Sequence, residues 1–244
     1  MSGGLIVLVF GAFFALVVVL IVVAAVQAKK RREAFGLLAS QKGWTYVERD
    51  DNWTTVFDGA PFGLGHNRKA GNILSGQYDG RPFIAFDYVY YTTETSTDSE
   101  GHTTTREESH NFGIVGLDMV EQLGNHPFPS LCVTPEGVFG RMIGRLTNKD
   151  IELESEDFNR AFTVTSQERK FASDILHPRM MEYLLQRPKA QFRFDRRWIL
   201  NVESGSPKVE EVESRLQYLD GIVDQVPTFV WQEYGASSEE RPQP

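Results

Sequence analysis

The chain has 244 residues, a formal net charge of −8 and a single cysteine, Cys132. One cysteine excludes an internal disulfide framework and any Cys-based zinc site, and it suits a reducing compartment. Outside the basic cluster Lys29-Lys30-Arg31-Arg32, 21 basic residues stand against 33 acidic ones. The resulting net −12 argues against nucleic acid, which is held through a basic stripe.

After Met1–Gly4 comes Leu5–Val26, a run with no charge and no polar side chain. As a helix rising about 1.5 Å per residue it is about 33 Å long, enough to cross a hydrocarbon core of about 30 Å. The competing reading is a cleaved signal peptide, which carries a basic segment before a shorter apolar stretch. Here no Lys or Arg precedes the run, and the basic cluster follows it. The pattern predicts an uncleaved single-pass anchor in the cell membrane, with the N-terminus outside and the rest of the chain cytoplasmic. Lys29, Lys30, Arg31 and Arg32 are then expected to touch anionic headgroups, while the acidic remainder stands off them. Gly11 and Ala15 form a small-xxx-small pair of the kind that lets helices approach closely, a pairing common by chance in apolar helices.

Residues 27–43 read as a juxtamembrane helix with an apolar stripe of Ala34, Phe35, Leu38 and Ala39, stopped by Gly43. Residues 44–233 read as an α+β domain, mainly antiparallel, and 234–244 as a disordered tail. Trp44–Glu48 is a short strand. Asp50–Asn72 is irregular and ends in the basic patch His66-Asn67-Arg68-Lys69. Ile73–Tyr78 and Arg81–Tyr91 flank Asp79-Gly80, which predicts a tight hairpin. Along the second strand Ile84, Phe86, Tyr88 and Tyr90 share one face; Phe83, Ala85, Asp87, Val89 and Tyr91 share the other. Thr92–Ser109 holds seven Thr and reads as a mobile loop or the frayed tip of a long hairpin. His110–Leu117 and Leu131–Thr134 read as strands.

Further on, Thr165 and Glu168 read as a capping box starting a helix to about Asp174. His177-Pro178 opens a second helix, with Met180/Leu184 and Met181/Leu185 spaced for one apolar face. Ala190–Phe194 and Trp198–Val202 read as a hairpin around Asp195-Arg196. Ser206 and Pro207 read as the start of a last helix, striped by Val209, Val212, Leu216, Leu219, Val223 and Val226 and ended by Pro227. Small sheets closed by a C-terminal helix include pleckstrin-homology-like barrels, an analogy of fold only.

Catalytic and ligand-binding patterns are mostly missing. The five histidines, His66, His102, His110, His126 and His177, are scattered without metal-ligand spacing. Gly63-Leu64-Gly65 lacks both phosphate-loop patterns and reads as a tight connection. Glu152, Glu154, Glu156 and Asp157 read as a solvated acidic stretch. Cys132, between Leu131 and Val133, reads as a buried inert thiol. The expectation is no catalytic residue, no cofactor and no metal.

One stretch resembles a known family. Ile151-Glu152-Leu153-Glu154-Ser155-Glu156-Asp157-Phe158-Asn159-Arg160-Ala161-Phe162, then Thr163-Val164-Thr165, then Ala172–Met181 with Ile175-Leu176-His177-Pro178, is similar to the signature of a bacterial membrane-anchored family defined only as a domain of unknown function. With the Asp79-Gly80-Arg81-Pro82 hairpin, the likeness covers about residues 70–203. It implies a membrane anchor and no particular chemistry. Two functions follow as expectations. One is a membrane-tethered interaction or scaffold module with an unknown protein partner. The other is a ligand sensor or enzyme with a site assembled from distant residues, for which a pocket converging on His110, Asp87 or Arg68 would speak.

Overall fold

In the computed structural model, which describes residues 3–97, 102–123, 127–137 and 149–235, the apolar run and the juxtamembrane segment form one helix, α1 (Gly3–Lys42). Between Phe10 and Val26 its large apolar side chains project away from the protein. Among the described residues this helix alone is long and apolar enough to cross a membrane. Further along, the same helix joins the domain: Phe35 and Ala39 are buried. Gly43 then reverses the chain with φ +69°, a conformation glycine adopts freely.

The described strands form one antiparallel sheet of nine, in the order β1-β2-β3-β4-β9-β8-β5-β7-β6. They are β1 (Thr45–Arg49), β2 (His66–Tyr78), β3 (Arg81–Thr97), β4 (Thr103–Asp118), β5 (Phe128–Pro135), β6 (Lys149–Asp150), β7 (Phe162–Ser166), β8 (Phe192–Arg196) and β9 (Trp198–Ser204). The order is linear, with β1 and β6 at the edges, so these strands do not close into a pleckstrin-homology-like barrel. The helices are α2 (Val120–Leu123), α3 (Glu156–Ala161), α4 (Arg169–Ile175), α5 (Pro178–Leu185), α6 (Glu211–Gln225) and α7 (Thr228–Gly235).

Strand alternation divides the core in two. Phe83, Ala85, Val115 and Leu117 face the helices, in one cluster with Phe35, Phe171, Met180, Leu216 and Leu219. Ile84, Phe86, Tyr88 and Tyr90 face the other way and are covered by the segment carrying Trp53, Phe57 and Phe62. The alternation read along Arg81–Tyr91 is the one the structure shows, because period-2 burial leaves it no other register.

Several expectations need correction. Of the two readings of Thr92–Ser109, the structure gives the tip of a long hairpin and not a loop: β3 and β4 pair from Tyr91↔Ser109 to Thr97↔Thr103. The polar composition hides a two-stranded ribbon whose side chains are solvated on both faces. β2 starts at His66, inside the stretch expected to be irregular; the shifts in its pairing with β3 fall around Asn67 and Asn72, both at positive φ. Residues 206–210 are not helical, and the helix expected from Ser206 begins at Glu211 as α6, because Pro207 packs over Gly113 and lends its carbonyl to Arg31. Thr165 is a buried strand residue rather than a cap, and the Ser166 hydroxyl accepts the Glu168 N–H instead. Leu185 is more exposed than its spacing implies. Pro227 ends α6 and also opens α7, which takes in Tyr234 and Gly235 of the expected tail. Trp231 and Tyr234 pack there on Phe128 and Phe171. Residues 236–244, His126 and most of 137–146 lie outside the described residues.

Candidate functional site

The most elaborate polar arrangement lies where α1 meets the sheet. Arg31 reaches Asp87 through two parallel hydrogen bonds, Nη1 to Oδ2 at 2.8 Å and Nη2 to Oδ1 at 2.9 Å, and Nη2 also donates to the Pro207 carbonyl at 2.6 Å. Asn72 Nδ2 donates to Asp87 Oδ2 at 2.7 Å, and Tyr46 Oη donates to Asn72 Oδ1 at 2.9 Å. Asp87 thus accepts three hydrogen bonds from two elements. The Arg31 guanidinium lies 5.2 Å from the Phe35 ring centre, which adds a cation–π contact. Arg32 pairs with Glu48, and Lys42 with Glu213 at 2.7 Å. Burial, then the Glu48 charge, raises the Tyr46 hydroxyl above its ordinary value, so it stays a donor at neutral pH.

The basic cluster is therefore divided. Arg31 and Arg32 are held by the domain. Lys29 makes only an exposed contact with Glu33, and Lys30 has no ion-pair partner among the described residues.

A cavity of about 150 Å³ lies on the opposite face of the sheet, between β5, β8, β9 and residues 58–60. Its apolar wall is Leu200 and Val202. Thr134, Arg193 and Asp195 are among its polar groups, with Ser130, Gln167 and Gln191 and with Cys132. Arg193 Nη2 donates to Asp195 Oδ2 at 2.9 Å and to the Asp58 carbonyl at 2.8 Å, and Nη1 donates to the Ala60 carbonyl at 2.8 Å. Asp195 Oδ2 also accepts the Asp58 N–H at 2.8 Å. Burial raises the Asp195 carboxyl, and the Arg193 charge opposes that rise. Arg193 Nε and Thr134 Oγ1 are buried without a partner among the described residues. Burial pushes the Cys132 thiol up to about 11, which keeps it protonated and weakly nucleophilic.

No described pocket converges on the residues singled out for the sensor or enzyme reading. Asp87 is taken up at the junction. His110 stacks on Tyr90 at 4.7 Å, and its Nε2 lies 2.8 Å from Thr92 Oγ1. Arg68 donates to the carbonyls of Gly63, Leu64 and Gly65. His177 occupies an N-cap position, but its Nε2 bonds the Gln225 carbonyl at 2.9 Å. Among the described residues no group of His, Cys, Asp and Glu could hold a metal. Sequence reasoning misses both the Arg31–Asp87 and Arg193–Asp195 pairs. Phe192-Arg193-Phe194-Asp195 carries a usable signal: two opposite charges on one face of a strand flanked by large apolar residues.

No family model and no curated relative matches the chain. Among solved structures it aligns with the crystal structure of the mycobacterial trehalose monomycolate transport factor A, TtfA, with a TM-score of 0.52 and 13% identity over 88% of this chain and 98% of that one. The chain is similar to TtfA in fold. At such identity the likeness concerns architecture alone.

Proposed function

We propose that this chain is a single-pass membrane protein whose α+β domain serves as a tethered, non-enzymatic interaction module on the cytoplasmic face. The observation that carries the proposal is the continuity of α1. One helix supplies an apolar, unpacked segment and, further along, buries Phe35 and Ala39 in the domain core. Arg31, Arg32 and Lys42 fasten the same stretch to Asp87, Glu48 and Glu213. An anchor on a flexible linker would let the domain roam; this one holds it in a fixed orientation at the bilayer. The similarity in fold to a protein described as a transport factor supports a membrane-related role. The segment 151–181 supports membership of the membrane-anchored family it resembles.

Orientation follows the basic flank, N-terminus outside, with Lys29 and Lys30 toward anionic headgroups. Fusions of a cytoplasmic and an extracytoplasmic reporter to the C-terminus test this. Activity of the cytoplasmic reporter alone is expected, and activity of the extracytoplasmic one alone rejects the assignment. Neutral replacements at Lys29–Arg32 should mix the orientation.

A second reading, a ligand-sensing module, is favoured by the cavity and the Arg193–Asp195 pair on its wall. Mass spectrometry of the protein taken from native membranes tests it. A co-purifying small molecule absent from Val202→Trp supports sensing; no such molecule speaks against it.

A further inference from the structure

We infer that the outer edge of the sheet at residues 152–154, beside α4 and α5, takes an extended segment of another protein as an added strand, one in which basic and apolar residues alternate. The inference rests on the interaction-module reading above and adds which surface binds and the chemistry of its partner.

The edge is open on its outer side. β6 is the last strand of the sheet and pairs with β7 alone. The chain beyond it keeps the same track, with the Ile151 N–H donating to the Val164 carbonyl at 2.8 Å. Two residues on, Asn159 stands in for a strand. The Leu153 N–H donates to Asn159 Oδ1 at 3.0 Å, and Asn159 Nδ2 donates to the Leu153 carbonyl at 2.7 Å. In an antiparallel ladder the N–H and C=O of one residue point to the same side, and those of its neighbours to the other. With Ile151 and Leu153 engaged inward, Glu152 and Glu154 turn their backbone groups outward. Among the described residues no hydrogen bond engages the N–H groups of Glu152 and Glu154 or the Glu154 carbonyl. The Glu152 carbonyl accepts an exposed contact from Arg169 Nη2 at 3.2 Å. A row of unpaired backbone groups is a template for strand addition.

Side chains define the partner. Ile151 is buried and Leu153 packs against the core, so Glu152 and Glu154 fall on the other face of the segment, where they are exposed. Alongside lies a groove of about 600 Å³ between residues 152–154 and the helices, with Leu153, Leu176, Pro178 and Met181 as its apolar lining. Arg169 is the one Lys or Arg that lines it, against the two carboxylates. Glu156 and Asp157, next along the chain, are already paired with Arg160. A strand laid on this edge meets carboxylates at one set of alternate positions and apolar surface at the other. Lys or Arg opposite Glu152 and Glu154, with aliphatic residues between, matches both. A second copy of the chain does not, because pairing this edge with itself sets carboxylate against carboxylate.

The test presents the full chain, in phosphatidylcholine nanodiscs, with a fluorescent seven-residue peptide of alternating Lys and Val and with its block isomer, the four Lys followed by the three Val. Empty nanodiscs give the background. The added strand requires that the alternating peptide bind about fivefold more tightly than the isomer, and that Glu152→Gln with Glu154→Gln remove about as much of its affinity. Methylating the peptide's Val nitrogens or its Lys nitrogens should abolish binding for one of the two sets. Equal binding of the two peptides means summed charge alone and overturns the added strand. A photoreactive benzoylphenylalanine in native membranes, replacing the exposed Ser173 beside the groove or the exposed Val47 on the opposite edge strand, separates this edge from the module reading. Crosslinks to protein from position 173 that the alternating peptide displaces are expected, and crosslinks it does not displace overturn the added strand. Crosslinks from position 47 alone overturn this edge and leave the module reading standing; crosslinks from neither overturn both.

Discussion

Arg31 on α1 and Asp87 on the third strand are 56 residues apart and joined by two parallel hydrogen bonds. Their side chains are 28% and 18% exposed, so the pair is screened less than a surface ion pair. Arg→Lys is not conservative here, because an ammonium cannot present two parallel donors to one carboxylate. A double-mutant cycle with Arg31→Ala and Asp87→Ala, read by thermal unfolding of the full chain in detergent, should give a coupling of about 1–2 kcal/mol. Asp87→Ala should cost more than Arg31→Ala, since it also strips Asn72 of its acceptor. Strictly additive effects would mean that the two side chains do not stabilise one another.

The two members of the buried Arg193–Asp195 pair should respond unequally to substitution. Arg193→Met leaves a buried carboxylate without its cation and should cost about 3–5 kcal/mol. Asp195→Asn keeps the shape and a polar oxygen for the Asp58 N–H, and should cost clearly less. Chemical denaturation of the two variants compares them directly; equal losses would argue against a charge-based role.

Much of this fold is legible in the sequence. The α1 run, the alternation of β3 and the stripe Val212, Leu216, Leu219, Val223 are apolar patterns long enough to admit one register, and the core-facing residues of β3 and of the stripe are buried as expected. The ribbon is legible only as one of two readings, loop or hairpin tip, since Thr and Glu on a doubly solvated pair of strands carry no period-2 contrast. The start of β2 is hidden by Asn67 and Asn72, which signal turns yet sit in a strand at its irregularities. At the junction the sequence offers four cations that all suit headgroups. That Arg31 folds back onto Asp87 depends on a tertiary approach that no local pattern encodes.

Close approach at Gly113 gives a third prediction. A Cβ there would stand 2.9 Å from Arg215 Nη1 and from Pro207 Cγ, atoms held in place because Arg215 Nη2 donates to the Gly113 carbonyl at 2.8 Å and the Pro207 carbonyl accepts from Arg31. Gly113→Ala should lower stability by about 1–3 kcal/mol through overpacking. An unchanged melting temperature would mean that α6 and the Pro207 segment yield freely.

Acid response has a definite sign. Burial raises the carboxyls of Asp118, Asp195 and Asp220 above their ordinary values, with Arg197, Arg193 and Arg81 opposing. A raised folded-state pKa means that the folded protein binds the proton more readily than the unfolded chain. Stability from these groups therefore grows as pH falls through their folded pKa values and levels off below the unfolded value. Asp51 and Glu211 are lowered, the first by Arg49 and the second by the Lys208 N–H, and their contribution is lost only as pH falls through the ordinary carboxylate range. The melting temperature should hold or rise as pH falls from 7 to about 4 and fall only below that. A steady decline starting at neutral pH would contradict the assignment.

The ribbon buries little and is expected to be dispensable. Replacing residues 94–106 by a two-residue turn should change stability by less than about 0.5 kcal/mol, the range of surface changes. Unfolding of the shortened chain would show that the ribbon supports β3 and β4.

Whether membrane helix and sheet move as one body is tested most directly by the interspin distance between Val18→Cys and Asp79→Cys, in the full chain with Cys132→Ser in nanodiscs. Pulsed dipolar spectroscopy should give a single narrow distribution that broadens when Arg31→Ala is added. A broad distribution in the chain that retains Arg31 would mean that the domain swings on its anchor, which contradicts a fixed orientation at the bilayer.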